Sequence, residues 1–266
     1  MYYLIFSLIG VITGLLMALF GIGGGAFIVP ALDTAFLASP LSTHPPFQLI
    51  VIGSLCTIVI GSLPRAIKVF TKNKVERNTA NTLVLSALPF IVLASIIATQ
   101  LSDTLLRLGF ALTIALIGLW TLFGKSPSGK YTQNSKPNLI KLIVVGAISG
   151  ISSALFGLGG ATLLMPLLTM WVGLPIALCV DISILFVSVT SIVSLTALSA
   201  AWTGLHGTEG INSKMIVLVL ILGVSAALTQ TFAASRLIKM RDGLRQKLLG
   251  CYLISLGIWV IARSLT

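Results

Sequence analysis

The sequence predicts an all-α polytopic membrane protein made of two inverted-topology repeats, each a glycine-broken helical hairpin followed by three transmembrane helices. Three observations carry that prediction. The 266 residues are 56% hydrophobic and only 9% charged, with mean hydropathy +1.08. Apolar runs of roughly the 20 residues a bilayer crossing needs recur from end to end. A shift of 136 residues lays Phe20-Gly21-Ile22-Gly23-Gly24-Gly25 on Phe156-Gly157-Leu158-Gly159-Gly160-Ala161, and Pro30 on Pro166. Between Gly10 and Pro30 that shift gives 10 identities in 21 positions, most of them Gly, Pro or Ala, residues whose roles depend on backbone geometry. Lastly, 14 of the 17 Lys and Arg gather at Arg65–Arg77, Lys125–Lys141 and Arg236–Lys247. Basic loops between apolar spans are what the positive-inside rule produces, so the net charge of +11 orients the chain and does not point to nucleic acid.

Taken in order, Leu4–Leu19 reads as a helix that ends at the glycines, with a shorter helix over Ala26–Ala38. The Tyr2–Phe20 run lacks a basic leader segment and continues into the repeat, so it reads as membrane structure and not as a cleaved signal. Ser39-Pro40 through Pro45-Pro46 is a turn-rich loop, and spans follow at Phe47–Pro64, Thr79–Gln100 and Leu105–Phe123. The second copy repeats the scheme. It has Leu139–Phe156, the break, Thr162–Trp171, a turn at Val172–Pro175, then Ile176–Ala200, Met215–Ala234 and Leu248–Ala262. The divisions are thus a first membrane repeat over 1–123, a cytoplasmic linker over 124–138 and a second repeat over 139–266.

Loop charge decides the topology. The loop after Phe47–Pro64 is basic, whereas its counterpart Ala201–Ser213 holds no Lys or Arg. The next pair reverses: Leu101–Thr104 has only Asp103, and Ser235–Lys247 is strongly basic. Homologous loops on opposite sides require an odd number of crossings per copy. Three ordinary spans supply that number only if each broken pair enters and returns. Both termini are then expected outside the cytoplasmic (inner) membrane.

A break strands amide and carbonyl groups, so it is tolerated only where it is buried in protein or lines a wet cavity. A helix restarting at Gly25 or Ala161 offers free N–H groups and a positive dipole end, and glycine lets a ligand approach the backbone. Gly23, Gly24, Gly25, Gly159, Gly160, Ala161 and Thr162 are therefore candidate anion-binding residues. The competing reading, a structural membrane protein whose glycines serve packing alone, fits Gly10, Gly14, Gly146 and Gly150 better.

These residues resemble the TauE/SafE family of sulfite exporter-like permeases. Each half opens with an apolar helix, a Phe-Gly-x-Gly-Gly break and a following Pro. Gly53-Ser54-Leu55 and Thr190-Ser191-Ile192 resemble the family's Thr-Ser-Leu-like signature, with Gly53 in place of the usual Thr. The closing stretch, Gly223–Arg236 followed by Leu244-Arg245 and Leu248–Gly257, is similar as well. The resemblance implies transport of a small anion, often a sulfur oxyanion or organosulfonate, without ATP hydrolysis; an anion channel is the alternative.

Ser54, Thr57, Thr190 and Ser191 could add hydroxyl donors to such a site without burying a cation, although a membrane Ser or Thr commonly bonds its own i−4 carbonyl. Asp33 and Asp181 are acids within apolar segments, hence candidates for proton or sodium coupling. Cys56, Cys179 and Cys251 have unrelated spacings and read as small buried hydrophobes. Gly124-Lys125-Ser126-Pro127-Ser128-Gly129-Lys130 has P-loop spacing, but Tyr131 replaces the magnesium-binding Ser or Thr and no strand precedes it. No Ser–His–Asp or Cys–His constellation suggests an enzyme, and no metal or cofactor is expected. The partners expected are a small anion and the bilayer, with oligomerisation left open.

Overall fold

The computed structural model describes residues 2–20, 24–37, 45–71, 74–123, 138–207, 213–237 and 242–264. Gly23, His44 and the 124–137 linker lie outside them. The described residues form helices and no strand: α1 Tyr2–Phe20, α2 Gly25–Leu37, α3 Phe47–Phe70, α4 Lys74–Gln100 and α5 Asp103–Phe123 in the first half. The second half has α6 Leu139–Phe156, α7 Ala161–Pro166 continued by a π-helical Leu167–Val172, α8 Ile176–His206, α9 Ser213–Leu237 and α10 Asp242–Ser264.

Six helices among the described residues are long and apolar enough to cross a membrane, namely α3, α4, α5, α6, α8 and α9. One assignment differs from the sequence reading: α6 is long and apolar enough to span although it belongs to a hairpin. Several helices also overrun their expected ends: α3 continues past Pro64 to Phe70, and α8 past Ala200 to His206. Hydropathy marks where the bilayer stops, whereas a helix continues until a cap stops it. For α8 that cap is Gly207, at φ +63°.

Both broken pairs are hairpins. The Phe6 and Phe36 rings lie 5.7 Å apart, and at the other end Gly24 abuts Thr13 and Met17, so α2 returns along α1. In the second half Gly160 abuts the Ser149 carbonyl and Lys141 Nζ donates to the Trp171 carbonyl at 3.1 Å, so α7 returns along α6. Pro166 removes one N–H from that returning helix, and the Thr169 hydroxyl donates to the Met165 carbonyl at 2.8 Å within the wider turn.

Contacts along the helices give their directions. Gly10 and Gly14 of α1 face Leu222 and Ala226 of α9, a parallel pairing. Gly146 and Gly150 of α6 face Leu83 and Ala87 of α4, again parallel. These pairings exchange helices between the halves, with glycine at the closest approach in each. Lipid is as apolar as the helix surfaces, so such interfaces rely on close van der Waals packing, which a methyl group would hold apart. The equivalent helices α5 and α10 run antiparallel, with Gly118 at Leu253–Ile254 and Gly257 at Ala111 and Ala115. So do α3 and α8, where Ser188 donates to Ser62 at 3.1 Å while Leu49 and Ile52 share a pocket with Ser199 and Trp202.

Gln48 Nε2 donates to the Ala98 and Leu101 carbonyls at 3.3 and 3.1 Å, and the Phe47 amide donates to Asp103 Oδ1 at 3.0 Å. The start of α3, the end of α4 and the start of α5 therefore share one end of the bundle. Following these directions, the α3–α4, α5–α6 and α9–α10 junctions, which carry the three basic clusters, all fall at the opposite end. The first residue of α1 and the last of α10 lie away from the basic end. On a background lacking the three native cysteines, the exposed positions Lys68 and Leu205 should report opposite sides when changed to Cys. An impermeant thiol reagent added to intact cells should label Leu205→Cys and spare Lys68→Cys; labelling of both would contradict the arrangement.

Candidate functional site

The two breaks touch. A methyl group built on Gly25 would strike the Gly157 carbonyl oxygen and lie 2.8 Å from the Leu158 carbonyl carbon, so only glycine permits this approach. The junction lies beside Ser54 and Ile58, the latter near the middle of the 24-residue α3, and beside Ser191 at the middle of the 31-residue α8.

Gly24 and Gly160, equivalent in the repeat, precede the restarted helices and share a left-handed backbone at φ +71° and +78°. Any other L-residue there pays roughly 1–2 kcal/mol of steric strain. The surroundings differ. A methyl at Gly24 would meet Met17, whose flexible end can move, whereas at Gly160 it would lie 2.7 Å from the Phe186 ring and 2.9 Å from the Ser149 carbonyl oxygen. The Gly24 carbonyl accepts from the amides of Phe27 and Ile28 at 2.9 Å each, and the Gly160 carbonyl from Leu164 at 3.0 Å. The amides of Gly25, Ala26, Ala161, Thr162 and Leu163 precede the first i−4 acceptor of their helices, and a glycine cap offers no side chain to take them.

The hydroxyls divide into two sets. Thr57 donates to its own i−4 carbonyl, Gly53, at 3.0 Å, the ordinary behaviour of a membrane threonine. Ser54 and Thr190 reach the break: Ser54 Oγ lies 3.0 Å from the Gly157 carbonyl oxygen and Thr190 Oγ1 3.2 Å from that of Gly159. Both thus serve carbonyls that the break releases. Ser191 and Thr162 are wholly buried, and their hydroxyls have no hydrogen-bond partner among the described residues. Ser149 Oγ, equally buried and unpartnered, sits on α6 beside Gly160. It was missed in the sequence, where the run Ser149-Gly150-Ile151-Ser152-Ser153 just ahead of the glycines was the available signal. Burying an unpaired hydroxyl costs about 1–3 kcal/mol, which favours a ligand in reach of these groups.

The acids are not brought together. Asp33 lies on α2 toward the end opposite the basic clusters, and Asp181 is in the second turn of α8 near the basic end. Asp33 Oδ1 accepts from Arg107 Nη1 at 2.7 Å. The Arg107 guanidinium also lies 3.7 Å from Asp103 and stacks 5.3 Å from the Phe47 ring centroid. Arg107, a lone cation between Leu106 and Leu108, was the overlooked sequence signal for this partnership. Among the described residues no group of three or more His, Cys, Asp or Glu gathers where a metal could bind. Of the cysteines, Cys179 is buried and Cys56 half-buried, but Cys251 is exposed, against the expectation of three buried hydrophobes; α10 turns that face outward.

The fold, with its long apolar helices and paired breaks, is that of a polytopic membrane protein. The chain belongs to the sulfite exporter TauE/SafE family, whose model matches residues 6–260. It is 28% identical over 222 residues to a probable membrane transporter protein of Methanocaldococcus jannaschii, covering 82% of this chain and 80% of that protein. A probable membrane transporter protein of Xylella fastidiosa is 26% identical over 258 residues, or 96% and 93% of the two chains. One from Haemophilus influenzae is 27% identical over 171 residues, 59% of this chain and 58% of its own. No solved structure matches. The protein is an integral membrane transporter, and its family implies a small substrate.

Removing one member of a buried ion pair costs about 3–5 kcal/mol, because the survivor keeps its desolvation penalty. Arg107→Leu should therefore destabilise the protein in detergent more than the Asp33→Leu, Arg107→Leu double variant does. Losses that simply add, the double variant falling by the sum of the Arg107→Leu and Asp33→Leu shifts, would show that the pair contributes no coupling.

Proposed function

We propose that this protein is a secondary transporter that moves a small anion, a sulfur oxyanion or an organosulfonate, across the cytoplasmic membrane. The observation that carries the proposal is the contact between the two breaks at Gly25 and Gly157–Leu158, beside unpartnered buried hydroxyls. Two helix starts with free amides supply positive potential without a buried cation, which suits an anion that must also leave. The amides at Gly25, Ala26, Ala161 and Thr162, with the hydroxyls of Thr162 and Ser191, are the proposed anion donors. Gly24, Gly159 and Gly160 shape the backbone, while Gly23 of the same motif is outside the described residues. In this reading Ser54 and Thr190 hold the break's carbonyls, and Thr57 packs within its own helix.

The antiparallel packing of α3 on α8 and of α5 on α10 supports inverted repeats over 1–123 and 139–266, joined by a cytoplasmic linker. With the basic end inside, both termini face out. Asp33 and Asp181 then sit at opposite ends of the route, as candidates for a proton or cation relay.

The test is inorganic sulfite flux into proteoliposomes. Thr162→Val, which keeps shape and removes the donor, should weaken sulfite affinity about tenfold, as loss of one hydrogen bond to a charged group does. Gly146→Ala, which presses α6 off α4, should lower the melting temperature before it alters affinity. Normal affinity in a monodisperse Thr162→Val protein would remove that residue from the site. An absence of flux for sulfite and for alkylsulfonates would overturn the sulfur-anion assignment.

A further inference from the structure

The second break carries more oxygen than its protons can serve. Gly157 and Gly159 both adopt φ +66°, which turns their carbonyls away from any helical ladder. Ser54 Oγ lies 2.8 Å from the Val51 carbonyl oxygen of its own helix and 3.0 Å from that of Gly157. Thr190 Oγ1 lies 2.8 Å from the Phe186 carbonyl oxygen and 3.2 Å from that of Gly159. Each hydroxyl has one proton for its two near carbonyls. Shared between two carbonyls, that single proton leaves lone pairs on the hydroxyl and carbonyl oxygens uncompensated. Ser191 Oγ, fully buried and unpartnered, lies 3.1 Å from where a Cβ on Gly159 would stand.

We propose that this cluster is a sodium site, with the Gly157 and Gly159 carbonyl oxygens and the hydroxyl oxygens of Ser54, Thr190 and Ser191 as its ligands. Oxygens about 3 Å apart that share too few protons carry an excess of lone pairs, and a hard cation among them would be coordinated by that excess. The ligands carry no formal charge, so they suit a monovalent ion; a divalent ion would want carboxylates to offset its charge. Unwound carbonyls at the end of one half-helix are a known way to hold a cation in a membrane, while the N-terminus of the next faces an anion. Ser191 can do both, with its lone pairs on the cation and its proton toward the anion. That arrangement makes cation and anion binding mutually favourable. The consequence for transport rests on the anion reading above, whereas cation binding by itself does not.

The purified protein would be melted in detergent across a sodium chloride titration, with potassium or N-methylglucamine chloride holding chloride and ionic strength constant. A ligand that binds only the folded state raises stability as its concentration passes Kd, so sodium should give a saturating rise that the other cations do not. Ser191→Ala and Thr190→Val should weaken the apparent sodium affinity by about tenfold or more while remaining monodisperse, and Thr190→Ser should restore it. Equal shifts with sodium and potassium, a response to pH but none to sodium, or an unchanged response in both variants would each overturn the site. Sulfite flux in proteoliposomes separates the two readings. Flux indifferent to sodium, with no sodium-specific stabilisation, removes the cation site and leaves the transporter standing. Sodium-specific stabilisation without flux of any tested anion does the reverse.

Discussion

A polypeptide that interrupts a helix inside hydrocarbon must find partners for the groups it releases, at several kcal/mol for each one left bare. The rest of this structure answers that requirement. The break between α6 and α7 is sunk against the middles of α3 and α8, where Ser54 and Thr190 reach the Gly157 and Gly159 carbonyls. Its other side is closed by the first break, with Gly25 pressed onto Gly157 and Leu158. Carbonyls are thus met by side chains, while the amides at the helix starts face a region where Ser191 and Thr162 also lack partners. The binding site proposed at this place would satisfy the backbone.

The same constraint shapes the scaffold. Holding two breaks together demands that the hairpins be positioned by their neighbours, and each outer helix packs on a helix of the other half. The α1–α9 and α6–α4 pairings meet through Gly10, Gly14, Gly146 and Gly150, where carbonyl oxygens and small side chains leave no room for a methyl group. These glycines differ in function from those of the breaks: Gly10 and Gly146 lie within regular helix and act through steric absence, while Gly24 and Gly160 adopt a backbone that other residues resist.

The halves are not equal around the junction. Ser149 and Ser153 on α6 occupy the places that Thr13 and Met17 hold on α1, and Met17 fills the space against Gly24 and Gly61. The second break is therefore hydroxyl-rich and the first is walled by a thioether. Electrostatics are lopsided too. The Arg107–Asp33 pair ties the first hairpin to α5, and its counterpart position on the second hairpin is Thr169, which bonds its own helix. The two halves thus present chemically different surroundings to their breaks.

Much of this was legible in the sequence, because hydropathy, loop charge and glycine spacing act locally. The 136-residue repeat, the two breaks, their hairpin form and the clustering of basic loops follow from rules that need no knowledge of contacts. The pairing of Gly25 with Gly157, the pairing of Asp33 with Arg107 and the division of the hydroxyls into engaged and unpartnered sets do not. Each depends on which residue across the bundle arrives within 3 Å, and a sequence spacing of 74 or 103 residues carries no such information. Helix ends followed the same division: hydropathy placed the span ends at Pro64 and Ala200, but the turns beyond remained helical because nothing there ended the hydrogen-bond ladder. The sequence alone determined that the chain must break twice inside a membrane. Only the tertiary structure decided that the breaks touch, since that contact rests on a missing Cβ meeting a particular carbonyl.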